Sequence, residues 1–515
     1  MKKYLFTLFL IIPFLGGCLD LPNDVTIPQW DTELNLPLTQ RKYTLDELIK
    51  TDNYISIDSA NGFKYVARHS SMAEKQSIED FIEGKLDQSG TGVKLTVADG
   101  SGSAYILYQN GMALDSAYFL RGMLKLSVKN TSTETIDLAL VLPAFVKNGN
   151  PLTINGQLAA NQEKNFETPL EGYKYNYKPQ DTTSNFLRIN GTLSGSSVPV
   201  NIDISYAIEN TMFSYIAGIL PTSTLNPLES TTGLPITDDV KDFRDKLKLY
   251  DAELKLKGDY FDKLLPTDPN KPFKVRIDQL NIVGYRNKKT EQFSLKLNGR
   301  PDNNLGPLNM INGHLEEPFT SSNSNLSEFL SFLPDSIVVI AKPTLNPDKE
   351  RGAGTNRDSL QFGFELILKS VLSITDLIVT DTLELSMDKD ARDNIKNFRA
   401  ATIYLKIDNK IAFGGKIVMD YVDSNFVKLF SLDTINFEPA NVDANGFPIM
   451  KHSEPTIELD SMQVQQLAIS ENIIMTVVIN TTDSHSGQKV VFTSKDWLSI
   501  ISFCKVKYHL NLDED

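Results

Sequence analysis

Short runs of alternating apolar and polar residues dominate this chain. Leu124-Lys-Leu-Ser-Val-Lys-Asn130, Val198-Pro-Val-Asn-Ile-Asp-Ile-Ser-Tyr206, Phe273-Lys-Val-Arg-Ile277, Phe293-Ser-Leu-Lys-Leu297 and Ile403-Tyr-Leu-Lys-Ile-Asp-Asn409 each put their aliphatic side chains on one face, as a half-buried strand does. Leu34, Leu36 and Leu38 alternate in the same way within residues 29–38, which read as the first strand. Asn-Gly pairs punctuate the runs at Asn110-Gly111, Asn148-Gly149, Asn155-Gly156, Asn190-Gly191, Asn298-Gly299, Asn312-Gly313 and Asn445-Gly446, and both residue types accept the positive φ of tight hairpins. Helical patterning is sparse. Thr44 and Glu47 have capping-box spacing, residues 72–86 and 238–251 carry helical periodicity, and residues 324–333 suit a short helix before Pro334. The fold class is therefore mainly β, with antiparallel β-sandwich-like domains in tandem and a few short helices.

At 515 residues the chain exceeds a single core, and about three domains are expected. The Ser-, Thr- and Pro-rich stretch 221–237 marks a junction, residues 346–357 read as an exposed hairpin tip, and a further break falls near Arg399. The expected division is β domains over residues 29–225, 226–399 (with a short helix) and 400–515. Four aliphatic strands end in Asn, at Asn130, Asn210, Asn409 and Asn480, with separations of a sandwich-sized unit between the first two and between the last two. Shared turn chemistry without common ancestry is the favoured account, because an Asn at a strand end stabilises the following turn through its side chain. A strand-ending Asn followed by another apolar strand is similar to late-embryogenesis-type-2 β-sandwiches, a resemblance of about a hundred residues at each end that implies a protective or adhesive role.

The N-terminus carries a different kind of signal. Lys2 and Lys3 precede an apolar run from Tyr4 to Leu15 that ends in Leu15-Gly16-Gly17-Cys18. A dozen apolar residues fall short of the roughly twenty a spanning helix requires. The segment resembles the lipobox of bacterial lipoproteins, and the chain resembles envelope lipoproteins of Bacteroidota-type bacteria. That resemblance implies a signal peptide over residues 1–17, lipidation of Cys18 and a tether over residues 18–28. Leu19 after the cysteine, where Asp would retain a lipoprotein at the inner membrane, implies the outer membrane, with the leaflet open. Net charge is −14, and removal of Lys2 and Lys3 makes it −16, which disfavours both nucleic acid and anionic lipid headgroups as partners. Lipidation consumes Cys18 and leaves Cys504 alone, so no intrachain disulfide forms; Cys504 shares a strand face with Val506 and Tyr508, as a buried, inert thiol would.

Local motifs for catalysis are missing. His69, His314, His452, His485 and His509 form no paired metal spacing, and neither a Gly-x-Ser-x-Gly turn nor a phosphate-binding glycine loop occurs. No cofactor is expected. Asn441, Asp443 and Asn445 followed by Gly446 imitate half a calcium loop, but His452 stands where the bidentate Glu belongs, so a plain turn competes with a metal site. Asp followed by Ser or Thr and then a small or aliphatic residue recurs, and resembles the O-glycosylation sequon of Bacteroidota-type bacteria. The acceptors it implies are Ser59, Ser116, Thr182, Ser336, Ser359, Thr382, Thr434 and Ser461. An Asp-capped turn ahead of a strand produces the same string. The function expected is a non-catalytic, lipid-anchored binding or structural module, touching the membrane through its lipid and a protein or glycan partner through its sandwiches. One alternative is a glycan-binding lipoprotein using Tyr173, Tyr175 and Tyr177, which otherwise form a cross-strand ladder. The other is a lipid carrier or hydrolase with a site assembled across strands.

Overall fold

A computed structural model describes residues 30–49, 55–176, 186–194, 199–234, 242–385, 387–432 and 434–510. The chain is mainly β, built of antiparallel sheets with a few short helices, as the alternation predicts. Three two-layered sandwiches repeat one strand order. In the inner one, one layer runs Gln88–Val97, Val200–Ile219, Ala113–Asn130, Glu163–Pro169. Its other layer runs Ser101–Leu107, Phe186–Ser194, Ile136–Lys147, Asn150–Leu158. Lys174–Asn176 pairs with both Ala113–Asn130 and Ile136–Lys147 and joins the layers into one ten-stranded sheet.

The middle sandwich copies this arrangement. One layer runs Lys64–Met72, Ser359–Lys369, Ala252–Phe261, His314–Thr320, and the other runs Leu228–Gly233, Ser336–Leu345, Val275–Arg286, Glu291–Ser294. The outer sandwich copies it again, with Trp30–Thr44, Trp497–Leu510, Phe398–Asn409, Thr456–Leu459 facing Leu377–Glu384, Asn472–Thr481, Phe413–Val422, Lys428–Ser431.

The three are nested in sequence. Each pairs its first strand with its last, and the next sandwich is inserted after that first strand. The expected tandem order thus gives way to insertion. Strand Trp30–Thr44 joins the sheet of the C-terminal strand rather than that of residues 88–219. Residues 223–224 and 228–233, expected at a junction, are strands of the middle sandwich. Arg399 lies within the outer sandwich, whose second strand starts at Leu377.

The same joint recurs at both insertions. After the outer sandwich's first strand, the Leu45 N–H donates to the Asp496 carbonyl at 2.8 Å and the turn Leu45–Leu48 begins. After the middle one's, the Ile78 N–H donates to the Asp358 carbonyl at 3.1 Å and the turn Glu79–Ile82 begins. Both Asp side chains are buried, and each accepts from the backbone N–H and hydroxyl of the Thr three residues earlier, Thr493 at 2.7 and 2.8 Å and Thr355 at 3.1 and 2.5 Å. Asp358 also accepts from the Tyr260 hydroxyl and the Lys263 N–H. Arg351–Thr355, expected as an exposed tip, instead pairs with the end of the inner sandwich's last strand, and Gly352 to Thr355 are buried. Val490–Val491 pairs in the same way with Val371–Ile374 beyond the middle sandwich's last strand. A single apolar cluster runs through the inner and middle sandwiches, whereas a small separate one, containing Leu45, Tyr65, Ile411 and Phe492, seals the joint to the outer sandwich.

The strand-ending asparagines resolve into a true repeat, in a different pairing from the one the spacing suggests. Asn130 and Asn409 are buried, and each Nδ2 donates to the carbonyls 4 and 29 residues on, Glu134 and Ala159 at 2.8 and 3.0 Å, Phe413 and Glu438 at 3.0 and 2.9 Å. Each Oδ1 accepts the N–H two residues on, from Ser132 and Ile411. Asp262 holds the corresponding place in the middle sandwich, accepting from the Leu264 N–H at 3.3 Å. Asn210 and Asn480 serve other purposes. The Asn210 N–H donates to Asp87, and Asn480 accepts from the Asp376 N–H.

Turns and helices follow the sequence unevenly. Asn110-Gly111, Asn148-Gly149 and Asn312-Gly313 adopt positive φ at both residues, as tight turns require. Gly156 and Gly191 lie inside strands instead, where a Cβ would come within 2.7 Å of the Phe166 ring and 2.5 Å of Leu95, so glycine serves close packing there. Helix Leu326–Ser331 falls where expected. Of the expected helix 238–251, residues 242–246 form a turn and Leu247–Leu249 a strand, and residues 238–241 lie outside the described residues. The expected helix 72–86 shrinks to Glu79–Ile82, while helices Lys389–Lys396 and Ser461–Ile469 were not foreseen. Ser461–Ile469 had a visible signal, since Asp460 and Gln463 form its capping box.

Replacing Asn130 or Asn409 by Ala strands two partly buried carbonyls and an N–H. Each substitution is expected to destabilise its own sandwich by about 2–3 kcal/mol in urea unfolding, whereas Asn155→Ala on the surface shifts it by less than about 0.5 kcal/mol.

Candidate functional site

The middle sandwich is open along one side, where its first strand and Leu228–Gly233 diverge. Lys64–Met72 is paired on its outer edge only through Ala67, by Ile55–Asp58, and Leu228–Gly233 pairs only with Ser336–Leu345. Among the described residues, two strand edges therefore flank the opening with backbone N–H and C=O groups that no strand takes up. Between them lies a cleft of about 480 Å³. Its floor is apolar, with Phe362, Val339, Ala341 and Leu228, and its rim carries Glu74, Lys75 and Glu229. The Thr232 hydroxyl donates to the Ser71 hydroxyl at 2.7 Å and ties the two edges together at one end. Gly363 sits where a Cβ would come within 2.2 Å of the Ser71 carbonyl, so the first strand can approach here only against glycine. Two residues before Ser71, His69 packs near Phe364 and its Nε2 is buried without a hydrogen-bond partner. Nothing local in the sequence marks this cleft, because its walls come from strands almost three hundred residues apart.

A second surface feature is aromatic. Tyr118, 42% exposed, lies beside Tyr215 on paired strands with ring centroids 5.3 Å apart, and Lys174 Nζ stands 4.9 Å over the Tyr118 ring. Partial burial pushes the Tyr215 hydroxyl up to about 12, and Asn270 donates to it at 3.0 Å from the middle sandwich. Asp268 lies alongside, accepting from Asn270. This ledge was not foreseen, although Tyr118 does fall on the solvent-facing positions of its alternating strand. Of the Tyr173, Tyr175 and Tyr177 set, the two described residues lie elsewhere. Tyr175 is 0% exposed, packed edge-on against Phe145 at 5.4 Å and Tyr108 at 6.4 Å, so it cannot stack on a sugar. Tyr173 is half-buried under Lys147, and Tyr177 lies outside the described residues.

The sequence-predicted residues do not converge on one place. Cys18 and Thr182 lie outside the described residues. Ser59 opens an exposed turn whose Asp58 accepts from the Asn61 N–H at 3.2 Å, and Ser461 opens the helix capped by Asp460. Ser336 and Ser359 begin strands and are half-buried; the Asp335 before the first pairs with Arg244, and the Asp358 before the second is the joint aspartate. Ser116 is half-buried beside the Tyr215 hydroxyl. Thr382 is exposed on strand Leu377–Glu384, and Thr434 is exposed just ahead of Ile435–Phe437. In the loop of Asn441, Asp443 and Asn445, the Asp443 Oδ1 accepts from the N–H groups of Asn445 and Phe447 at 2.8 and 2.9 Å, closing the turn between Asn441–Val442 and Pro448–Ile449. Among the described residues no three His, Cys, Asp or Glu side chains gather to hold a metal ion. Cys504 is buried in the outer sandwich, which raises its thiol above the usual range.

Three histidines each meet an aspartate on the surface: His314 with Asp259 at 2.7 Å, His452 with Asp408 at 2.7 Å and His485 with Asp376 at 3.1 Å. His452 also meets Glu454 at 3.0 Å.

No protein-family model matches the chain, and no curated relative matches it. Among solved structures, the chain is similar to a protein inferred to be secreted from Parabacteroides distasonis ATCC 8503, with 14% identity over 55% of this chain and 82% of that one and a TM-score of 0.34. PNGase F, a glycosylasparaginase from Flavobacterium meningosepticum, follows at 12% identity, 58% and 96% coverage and a TM-score of 0.15. A triple jelly roll protein of an archaeal virus turret matches at 11% identity, 82% and 89% coverage and a TM-score of 0.11. Likenesses this slight carry no argument about what the chain does.

Hydrogen bonds to Asp408 and then Glu454 raise the His452 pKa from 6.5, so the folded state holds that proton more tightly than the unfolded chain does. The resulting stabilisation is complete below pH 6.5 and is lost as pH rises through the folded-state value. The urea midpoint of the outer sandwich is expected to fall over that rise, and His452→Gln to remove this part of the fall.

Proposed function

We propose that the chain is a lipid-anchored envelope protein whose sandwiches act as a non-catalytic binding module, with the middle-sandwich cleft receiving an extended segment of a partner protein. The observation that carries this reading is the pair of unpaired strand edges on either side of the cleft. An extended peptide entering there satisfies its backbone on an edge and sets alternate side chains on the apolar floor, while Glu74, Lys75 and Glu229 select charge at the rim. The charged rim suits such a segment better than an acyl chain. The lipobox ending at Cys18 supports the anchor, and no helix among the described residues is long and apolar enough to cross a membrane. The first described strand begins at Trp30, within about 40 Å of Cys18 along an extended chain, so the lipid would attach beside the outer sandwich, and the two joints would carry the middle and inner sandwiches onward.

A single set of envelope preparations tests both parts. Cys18→Ser is expected to abolish palmitate incorporation and to let a high-salt wash release the protein from membranes; unchanged labelling rejects the anchor. A photo-crosslinking residue at Ser230 is expected to give a discrete protein adduct that the same residue at exposed Thr153 does not, and no adduct at Ser230 rejects the cleft.

The Tyr118–Tyr215 ledge favours a second reading, a surface for glycans. Adjacent aromatic faces bordered by Lys174, Asp268 and Asn270 combine stacking with hydrogen bonding, the two interactions a sugar ring uses. Under this reading, glycan-array binding is lost on Tyr118→Ala with the thermal melt unchanged; absence of binding by the native chain to every glycan disposes of it.

A further inference from the structure

Two turns in the outer sandwich share one set of hydrogen bonds and differ at a decisive residue. In Asp443-Ala-Asn-Gly-Phe447, the Asp443 Oδ1 accepts from the N–H groups of Asn445 and Phe447, its N–H donates to the Phe447 carbonyl at 3.0 Å, and its carbonyl accepts the Gly446 N–H at 3.0 Å. In Asp423-Ser-Asn-Phe-Val427, Asp423 makes the same four bonds to Asn425, Val427 and Phe426, at 2.9 to 3.0 Å. The fourth place is left-handed in both, with φ +86° at Gly446 and +60° at Phe426. Glycine adopts that backbone freely, whereas a bulky side chain is strained in it. Burial does not offset the strain. Phe426 is 59% exposed and Val427 58%, while Phe63, the other described aromatic at positive φ, is half-buried with Lys495 Nζ 3.3 Å over its ring. A strained backbone that lifts an apolar pair into water points to a contact made outside the fold.

This tip stands at the end of the outer sandwich where the tether enters. The Glu471 N–H, just beyond helix Ser461–Ile469, donates to the Val422 carbonyl at 3.0 Å, and the Glu471 carbonyl accepts from Leu385 at the end of strand Leu377–Glu384. That strand leads through helix Lys389–Lys396 to Phe398, opposite Tyr508 and two residues along from the Trp30–Leu510 pair. The joint at Leu45 lies at the other end of the strand that Trp30 begins. We propose that Phe426 and Val427, with Ile469 at the neighbouring helix end, insert into the interface of the bilayer that holds the lipidated Cys18. The chain between Cys18 and Trp30 selects this occupant, since it spans at most about 40 Å and attaches this end of the body closest to the lipid. Attraction to anionic headgroups plays no part. Beyond the pairs of Arg392 with Glu471, Lys396 with Asp393 and Lys428 with Asp420, this end carries Glu384, Asp388, Asp390, Asp423 and Asp460 against Lys389 and Arg399. Burial of apolar side chains holds the tip, and zwitterionic headgroups suit its acidic surroundings. The proposal rests on the anchored reading, which brings the bilayer within reach.

The test uses the processed, lipidated chain carrying Trp30→Phe and Trp497→Phe, with Phe426→Trp as its one fluorophore, and vesicles of phosphatidylcholine brominated in the acyl chains. The expected result is flotation together with quenching that is equal in low and high salt and weakens when brominated phosphatidylglycerol replaces part of the lipid; Thr153→Trp, as the one fluorophore instead, stays unquenched. With the fluorophore moved to Val427→Trp, Phe426→Gly is expected to weaken the quenched state roughly tenfold, with flotation kept and the urea midpoint of the outer sandwich no lower, since glycine relieves the turn. Flotation without quenching of the Phe426→Trp fluorophore overturns the tip and leaves the anchor standing. Quenching that high salt relieves overturns apolar insertion. Flotation that Phe426→Gly abolishes removes the anchor and keeps the tip. No flotation rejects both, and a concentration-dependent blue shift of the fluorophore without lipid assigns the tip to a second copy of the chain instead.

Discussion

Antiparallel pairing between the first and last strands of each sandwich is the constraint on which this molecule depends. Trp30–Thr44 meets Trp497–Leu510, Lys64–Met72 meets Ser359–Lys369, and Gln88–Val97 meets Val200–Ile219. Each pairing closes a loop that contains the whole of the next sandwich. Loop-closure entropy grows only with the logarithm of the enclosed length, about 0.6 kcal/mol per doubling, so the outer ladder loses little by enclosing so much chain. A folded insertion whose ends lie close together shortens the effective loop further. Nesting therefore implies an order of assembly, from the inner sandwich outward, in which each completed unit brings together the two strands that begin the next.

The joints show how an insertion is tolerated without exposing backbone groups. A Thr-x-x-Asp turn ahead of the last strand buries a carboxylate that bonds to its own turn, and at Asp358 to Tyr260 and Lys263 as well, while the carbonyl of the same Asp takes the first N–H of the departing chain. Burial holds the Asp496 carboxyl above its ordinary value, against the opposing pull of its bonds to Thr493. A shared apolar cluster makes the inner and middle sandwiches one packed body, and the smaller seal at Leu45, Tyr65 and Phe492 joins them to the outer sandwich.

This architecture distributes function over surfaces. The cleft exists because the middle sandwich leaves its open side uncovered, whereas the corresponding strands of the inner sandwich, Gln88–Val97 and Ser101–Leu107, are consecutive and linked by the Ala98–Ser101 bridge. Insertion separates the first two strands of the middle and outer sandwiches, and that separation leaves exposed edges at both. The nesting of the chain thus leaves uncovered the edges that flank the candidate cleft.

The sequence by itself determined the fold class, most strand faces, and the tight turns at Asn110-Gly111, Asn148-Gly149 and Asn312-Gly313, because alternation and positive φ are local properties. It also displayed the strand-ending asparagines, but not that Asn130 corresponds to Asn409, since their shared role is fixed by carbonyls 29 residues away. Tertiary structure decided that Asn155-Gly156 and Asn190-Gly191 continue strands, that Tyr175 is core, and that Leu34 and Leu36 stay half uncovered in core-facing register. It also decided where the chain closes on itself. Periodicity states which face of a strand is apolar but not which strand will cover it, and in a nested chain that partner lies hundreds of residues away.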